Sequence, residues 1–437
     1  MSAKRSERGE RSEDLLFERS EFQIFSELKE RSSEAGLALN FWLLFFQEKS
    51  DRKQEKNEFI MYRETTKKID QAEAVSIQLN RFEPKEGMSE YQLLLSGTDP
   101  TLPFTEQAEH LWQAYIRVMR EELADKKAYP VMRRYFVSDA ANQSDWIQAW
   151  ELENGCSAYS IVQQPPLNGT KIALWCYLLT DVTVERAAEG LWQVAHAGYR
   201  HYWIGGLTAR ATDAEQQTRL LLGDYVMRLM RQRMTLSANC LRTWLFVRNV
   251  DVNYAGVVKA RRELFVTQGL TEQTHYIAST GIEGRHADPE VCIQMDAYAV
   301  EGLRPEQIQQ LYAPTHLNPT YEYGVTFERG TAIHYPDRTH ILISGTASID
   351  NQGTILYEGD VIRQTERMME NISALLAEAG ATIDDITQAI TYLRDPADYA
   401  VVSHYFATHY PHLPQLIVLA PVCRPGWLIE TECWAVV

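Results

Sequence analysis

The 437-residue chain has few cysteines, an excess of acidic over basic residues and no long apolar run. Its six cysteines are spread thinly and none forms a Cys-x-x-Cys pair, which argues against a disulfide framework or a zinc site and favours the cytoplasm. The 43 basic and 59 acidic side chains give a net charge of −16, so we expect no nucleic-acid partner. The longest apolar run, Phe41 to Phe46, is far shorter than the ~20 residues of a membrane span, so we expect no membrane partner.

Residues 1–60 differ in composition from the rest of the chain. The stretch SERGERSEDLLFERSEFQIFSELKERSSE repeats Ser, Glu and Arg with little periodicity, and the polar SDRKQEKNE follows it. This composition predicts a disordered or loosely helical tail. A docked helix is the alternative, because the apolar run from Phe41 to Phe46 then needs a surface that covers it.

The remainder of the chain contains three segments with the same order of features. Each has a strand that ends in a glycine turn, an amphipathic helix, a second strand, a second helix and an apolar strand. The first helix and the second strand lie 30, 30 and 29 positions apart, from Gln107 to Val137, from Gln217 to Val247 and from Gln364 to Leu393. We therefore predict three tandem units at residues 61–182, 183–303 and 304–437.

Each unit is predicted to have an α/β (α+β) fold, a mixed sheet with two helices on one face. The other face of the sheet is also apolar and needs a cover, which a neighbouring unit can provide. Three units in one chain can then close into a ring with pseudo-threefold symmetry, a single-chain pseudo-trimer. Because such a ring uses its trimer-forming faces internally, we expect a monomer or a dimer of pseudo-trimers in solution.

The third segment resembles the RidA (YjgF, L-PSP) superfamily over roughly residues 316–437. The resemblance is carried by ILISGTASID, by QTERMMENISALLAEAGATIDDITQAITYLRDPADYAVV and by CRPGWLIETECWAV, which occur in the family's order. The first two segments resemble the same superfamily more faintly. The resemblance implies units of the kind that form homotrimers, with ligand clefts between subunits.

The deaminase branch of that superfamily suggests several site residues. A Glu on its last strand positions water, and the matching residue here is Glu430. An Arg fifteen residues earlier grips the substrate carboxylate, but Gln415 occupies that position here. Tyr321 falls where the family has a cleft Tyr, and Ser344 and Gly345 fall where its backbone binds substrate.

The end of the chain also resembles the chorismatases, which have RidA-like units and a closing motif similar to CRPxxLVEIE. Here the motif reads CRPGWLIETE, with Cys423 and Arg424 seven and six residues before Glu430. Chorismatases make hydroxybenzoates or dihydroxy acids from chorismate. Cys423 has no adjacent His that could act as its base, so we expect it to line the pocket and not to act as a nucleophile.

The repeat itself supports a function for Glu430. Aligning the last strands places Ala173 in the first unit and Gln294 in the second at the position of Glu430. A purely structural position would not need a carboxylate in one unit and Ala in another. A carboxyl group in a semi-apolar cleft has a raised pKa and can transfer a proton, although a Glu at the end of an exposed strand is the plainer alternative.

A small organic acid also needs cations, and the sequence offers Arg424, Arg329 and Arg285. An Arg side chain can bind a carboxylate through two parallel hydrogen bonds, although a surface salt bridge is the alternative for each. The histidines are not at metal-ligand spacing, so we expect neither a metal nor another cofactor.

Three functions remain open on the sequence. The first is a RidA-superfamily enzyme that acts on a small carboxylic acid, as a chorismatase-like hydrolysis or elimination with Glu430 as acid or base. The second is imine or enamine deamination of the RidA type. The third is a non-catalytic protein that binds a metabolite.

Overall fold

The structure, a computed structural model, describes residues 60–70, 73–84, 87–196 and 198–437. The predicted tail at residues 1–60 lies outside these residues apart from Ile60, which begins the first strand. The described chain forms three six-stranded sheets.

The sheets follow one another along the chain. The first contains β1 (Ile60–Asp70), β2 (Val75–Pro84), β3 (Glu90–Gly97), β4 (Ala128–Val137), β5 (Ala158–Gln163) and β6 (Ile172–Thr180). The second contains β7 (Val184–Ala188), β8 (Leu191–His196), β9 (Tyr199–Thr208), β10 (Cys240–Val247), β11 (Ala278–Glu283) and β12 (Ile293–Glu301). The third contains β13 (Ile308–Leu311), β14 (Gly330–His334), β15 (Thr339–Ala347), β16 (Ile386–Leu393), β17 (Gln415–Leu419) and β18 (Ile429–Val436).

Two main helices accompany each sheet. They are α1 (Phe104–Arg117) and α2 (Ala140–Asn154), α3 (Ala214–Arg231) and α4 (Val250–Thr267), and α5 (Val361–Glu378) and α6 (Tyr399–His409). A π-helical turn, Val118–Glu122, extends α1, and a four-residue helix, Leu236–Asn239, precedes β10. No described helix combines the length and the apolar character that crossing a bilayer requires.

All three sheets have the same topology. In each, an antiparallel meander of three strands pairs with the last strand, which pairs in turn with the fourth; the fifth strand lies parallel to the fourth at the edge. The prediction of three mixed sheets with helices is therefore confirmed. The sequence pattern missed three strands in each unit: the two that open the meander and the parallel edge strand.

The amphipathic helices form where the sequence pattern predicts them. On α1, Ala108, Leu111 and Tyr115 recur at helical spacing and are buried. Asp213 and Asp360 cap α3 and α5, because each side chain accepts a hydrogen bond from a backbone N–H three residues later. The buried helix faces cover one side of each sheet.

The opposite sides of the three sheets meet in a shared aromatic core, to which every unit contributes. It contains Trp175 and Tyr177 of the first unit, Trp203, Trp244 and Tyr298 of the second, and Trp434 of the third. The ring centroids of Trp203 and Tyr298 lie 4.4 Å apart, and those of Tyr177 and Trp434 lie 5.1 Å apart. This packing is what the predicted single-chain pseudo-trimer requires.

Backbone bridges join each pair of units at the edges of the sheets. Gln163 of the first unit pairs with Arg285 of the second, Ile282 of the second pairs with Val422 of the third, and Val418 of the third pairs with Pro166 of the first. The three units therefore close into a ring.

Candidate active site

Strand register places Glu430, Gln294 and Ala173 at the same position of their three sheets. On one side, Glu430 lies opposite Ala347, Gln294 opposite Thr208 and Ala173 opposite Ser96. On the other side, their partners are Tyr392, Phe246 and Phe136. The alignment made from the sequence repeat is thus the alignment of the fold.

Each of these three residues lines a cleft between two units, and we name each cleft after its residue. The Gln294 cleft lies between the first and second units, with a volume of about 520 Å³. The Glu430 cleft lies between the second and third, with a volume of about 420 Å³. The Ala173 cleft lies between the third and first, with a volume of about 390 Å³. All three volumes fall in the range of small-molecule sites.

The Glu430 cleft combines a carboxyl group with several cations. Among the described residues that line it, Glu430 is the one acidic side chain. The basic side chains that line it are Lys259, Arg261, Arg262, Arg329 and Arg424. The cleft is therefore suited to an anionic ligand.

Glu430 is buried, with 5% of its surface exposed, and is the second residue of β18. Burial raises the pKa of its carboxyl group to about 8, and the nearby Glu432 carboxylate raises it further, against the lowering effects of Arg242 and Arg329. At neutral pH the group is mostly protonated. It can therefore donate a proton to a bound molecule.

Gly345 makes room for this carboxyl group. A Cβ atom at position 345 would lie 2.1 Å from Glu430 Oε1 and 2.8 Å from its Cδ. The backbone N–H of Gly345 donates to Thr280 Oγ1 at 3.0 Å, and the N–H of Ser344 donates to the Arg329 carbonyl at 3.0 Å. Both N–H groups, which the resemblance assigned to substrate binding, are thus engaged within the protein.

Ser344 instead links two units. Its buried hydroxyl donates to the Glu328 carbonyl at 2.6 Å and accepts from the Ser279 N–H at 2.9 Å. Ser279 belongs to β11 of the second unit. Ser344 therefore holds the wall of the Glu430 cleft together.

Arg329, Arg424 and Cys423 all line the Glu430 cleft, as the sequence predicts. The Arg329 guanidinium is buried and donates to the carbonyl and side-chain oxygens of Asn318 at 3.0 and 3.1 Å. Arg424 lies 5.3 Å from the ring of Trp427. Burial raises the pKa of the Cys423 thiol to about 12, which keeps the thiol protonated and argues against a nucleophilic role.

Two predicted residues lie outside this cleft. Tyr321 is 45% exposed and lines a separate pocket beyond Arg329. Arg285 has a half-exposed side chain that lies 3.4 Å from Glu283. Tyr321 lies in a short 3-10 helix, Thr320–Tyr323, and Arg285 follows β11. The position of such connecting segments relative to the sheet cannot be read from spacing along the chain.

The sequence reasoning missed the cations of the second unit. Arg261 on α4 is buried, and it donates to Thr326 Oγ1 at 3.2 Å and to Ser279 Oγ at 3.4 Å. Lys259 and Arg262, its neighbours in the motif VVKARRELF, line the same cleft. The signal available in the sequence was the group of three cations within one predicted helix.

Strand register also shows which cleft Gln415 lines. Gln415 pairs with Ala389, three residues before the partner of Glu430, and its counterpart in the second unit is Ser279. Ser279 lines the Glu430 cleft, whereas Gln415 lines the Ala173 cleft. The residue that faces Glu430 thus comes from the neighbouring unit, and Arg261 contacts it.

A buried ionic network lies behind the cleft. Glu432 accepts from Arg242 Nη2 and from Trp244 Nε1, each at 2.8 Å. Arg134 donates to Asp296 at 2.8 Å and lies 3.5 Å from Glu432. The network joins all three units next to Glu430.

Among the described residues, no group of three or more His, Cys, Asp or Glu side chains is placed to hold a metal ion.

Comparison with known proteins agrees with this geometry. The family model described as Endoribonuclease L-PSP matches residues 331–437. A RutC family protein of Pyrococcus abyssi is 39% identical over 97 residues, which are 22% of this chain and 76% of the relative. The 3-aminoacrylate deaminase RutC of Acinetobacter baylyi is 31% identical over 92 residues, which are 21% of this chain and 73% of that protein.

A larger part of the chain matches a solved structure. The crystal structure of a chorismatase superposes with a TM-score of 0.54 and 17% identity, and the match covers 70% of this chain and 92% of that chain. At this identity the match shows the fold. With three units of one topology and these relatives, the chain belongs to the RidA (YjgF, L-PSP) superfamily.

Proposed function

We propose that this chain is an enzyme that hydrolyses a small enol ether carrying carboxylates, with Glu430 as the proton donor. The observation that carries the proposal is the buried Glu430 carboxyl group, with a pKa of about 8, in a cleft whose other charged side chains are all cations. A general acid works best when its pKa lies near the working pH.

The arrangement of the cations favours a dicarboxylate. Lys259, Arg261 and Arg262 approach from α4 of the second unit. Arg329 and Arg424 approach from the third unit. A molecule with two carboxylates can therefore contact cations on both walls, with its reacting carbon between them.

The protonated carboxyl group suits an enolpyruvyl ether such as that of chorismate. Glu430 transfers its proton to the terminal CH₂ carbon, and the adjacent carbon becomes an oxocarbenium ion. Water adds to that carbon and gives up a proton to the Glu430 carboxylate. The hemiketal hydroxyl then gives its proton to the ring oxygen as the bond between that oxygen and the hemiketal carbon breaks, so pyruvate and an alcohol leave. Glu430 already carries the proton taken from water and is ready for the next cycle.

The cleft residues have separate tasks in this sequence. Arg261 and Arg424 hold carboxylates, and Gly345 leaves the space that the Glu430 carboxyl group occupies. Trp427 is buried beside Arg424, and its Nε1 donates to the Ser348 carbonyl at 3.1 Å. A rigid apolar wall of this kind keeps the pKa of Glu430 high.

The direct test is the release of pyruvate from chorismate by the purified chain and by Glu430→Gln. Gln already occupies the matching position as Gln294, so the variant should fold. We expect turnover to fall by roughly 10²- to 10⁴-fold, the usual contribution of general acid–base catalysis, with little change in KM. Wild-type turnover in the variant would remove Glu430 from the mechanism.

Enamine hydrolysis is the second candidate, favoured by the 31% identity to a protein named 3-aminoacrylate deaminase. An enamine is also activated by a proton on carbon, which the protonated Glu430 can supply. Ammonia release from an enamine generated in the assay tests this reaction. If neither substrate turns over but chorismate or another carboxylate binds tightly, the cleft serves a metabolite-binding protein instead.

A further inference from the structure

The Gln294 cleft is the largest of the three, and the proposed chemistry makes no use of it. It lies between the first and second units, where Gln294 replaces Glu430. Its walls come from α2 and β5 of the first unit and from β9 and β12 of the second. It therefore has the same place in the fold as the candidate active site.

The walls carry buried polar groups that have no protein partner. Gln294 is 1% exposed; its Nε2 donates to the Ile161 carbonyl at 3.1 Å, while its Oε1 has no hydrogen-bond partner among the described residues. Ser157 is 2% exposed, and its hydroxyl also has no partner in the described part of the chain. Leaving such groups unsatisfied is unfavourable, so a guest that pairs with them is favoured.

The charges around this cleft cancel one another, unlike those of the Glu430 cleft. Glu151 is buried, and its carboxylate accepts from Arg133 at 2.7 Å and from Tyr135 at 2.6 Å. Burial lowers the pKa of His286, which favours the neutral form of its ring. Arg186 and Glu189 line the mouth of the cleft and are exposed.

We propose that the Gln294 cleft is a second binding site, for a neutral small molecule with adjacent N–H and C=O groups, such as a cyclic amide or ureide. An N–H group pairs with Gln294 Oε1, and a C=O group pairs with the Ser157 hydroxyl. Because Gln294 cannot donate a proton as an acid does, the molecule is bound and not converted.

The close approach of backbone in this cleft supports a flat guest. A Cβ atom at Gly205 would lie 2.3 Å from the Tyr159 carbonyl oxygen, and Gly206 has a φ of +67°. A larger side chain at Gly205 would displace the wall, and one at Gly206 would strain the left-handed backbone. The glycine pair thus keeps the floor of the cleft free of side chains.

The test is calorimetric titration of the full chain with 2-imidazolidinone and dihydrouracil as neutral probes, and with benzoate as an anionic control. We expect both neutral probes to bind and benzoate not to compete with them. Gln294→Ala should weaken binding roughly tenfold or more, the loss expected when a buried hydrogen bond is removed. Ala173 occupies the matching position of the first unit, so Ala fits the strand.

Ser157→Ala should weaken the same probes, whereas Ser403→Ala in the Ala173 cleft should leave their binding unchanged. If Gln294→Ala does not fold, Gln294→Met keeps the volume and serves in its place. Absence of binding by both probes, or binding that Gln294→Ala leaves intact, would overturn the proposal. Since the readout is binding and not turnover, this result is independent of the activity of the Glu430 cleft.

Discussion

Gly345 and Glu430 occupy complementary space: a methyl group on the first would lie 2.1 Å from a carboxyl oxygen of the second. We therefore expect Gly345→Ala to displace the Glu430 carboxyl group and to reduce turnover by at least tenfold. Because the obstructing atoms are the end of a side chain, the fold should persist. Pyruvate release and the melting temperature measure the two effects.

Gly223→Ala on α3 is the matched control, because nothing lies within 4 Å of its added Cβ atom. It should leave turnover unchanged and stabilise the chain slightly, as Ala does in place of Gly within a helix. Unchanged turnover in Gly345→Ala would show that Glu430 does not act from the position seen here.

The pH dependence of turnover should report the titration of Glu430. A general acid works in its protonated form, so with a pKa of about 8 the value of kcat/KM should be level below pH 8 and fall about tenfold per pH unit above it. A pH profile of pyruvate release checks this. A level profile up to pH 10 would contradict the assigned role.

Stability should follow the same group. The folded pKa lies above the ordinary value of 4.5, so the protonated carboxyl group contributes its full stability below about pH 4.5 and loses it as pH rises through about 8. Glu430→Gln does not titrate. The melting temperature of the wild type should therefore fall relative to that of the variant between pH 5 and pH 8, and the difference should then level off.

Arg261 should be needed for substrate binding. Arg261→Gln removes a buried cation from the wall of the Glu430 cleft, so KM for chorismate should rise roughly tenfold or more, with a smaller effect on kcat. Steady-state kinetics measure both constants. Arg285→Gln is the control, because its side chain is half-exposed and lies outside the cleft, and it should behave as the wild type.

Glu432 should be required for the stability of the ring. Glu432→Gln leaves Arg242 without its buried carboxylate, so the free energy of unfolding should fall by about 3–5 kcal/mol. Glu306→Gln breaks an exposed pair with Arg304 and should leave the free energy of unfolding nearly unchanged. Denaturant titrations measure the free energy of unfolding of both variants. Equal losses would contradict the expectation that the buried pair of Arg242 and Glu432 stabilises the ring.

The ring should remain a single-chain assembly in solution. The trimer-forming faces are already covered within one chain, as the bridges between units indicate. Light scattering on the purified protein should give a monomer or a dimer. A stable assembly of three chains would contradict this expectation.

Much of the fold was predictable because its signals are local. The amphipathic helices and the central strands have clear periodicity, and the spacing between them repeats across the three units. Several of the missed strands are too short to show periodicity: β7 reads VERAA and β13 reads IQQL. These short strands form because a neighbouring strand supplies hydrogen bonds, and a sequence window does not contain that partner. The sequence of β2, VSIQLNRFEP, does alternate apolar with polar residues, so that strand was predictable and was overlooked.

Of the candidate site, only the part that the third unit contributes was predictable. Glu430, Cys423 and Arg424 lie within one short motif, and its resemblance to known sequences places them together. Arg261 lies 169 positions earlier and reaches the cleft only because the second unit packs against the third. Spacing along the chain has no information on that contact, and for the same reason it does not show that Tyr321 and Arg285 lie outside the cleft.

Three separately encoded clefts give this protein a freedom that three identical subunits lack. In a homotrimer, one substitution changes every cleft at once, so a site cannot drift without the loss of all copies. Here Glu430, Gln294 and Ala173 occupy one position of the fold, and each is encoded by its own codon. Mutation can remove the acid from two clefts while selection keeps it in the third. The shared aromatic core preserves the fold, so the Gln294 and Ala173 clefts can acquire other uses.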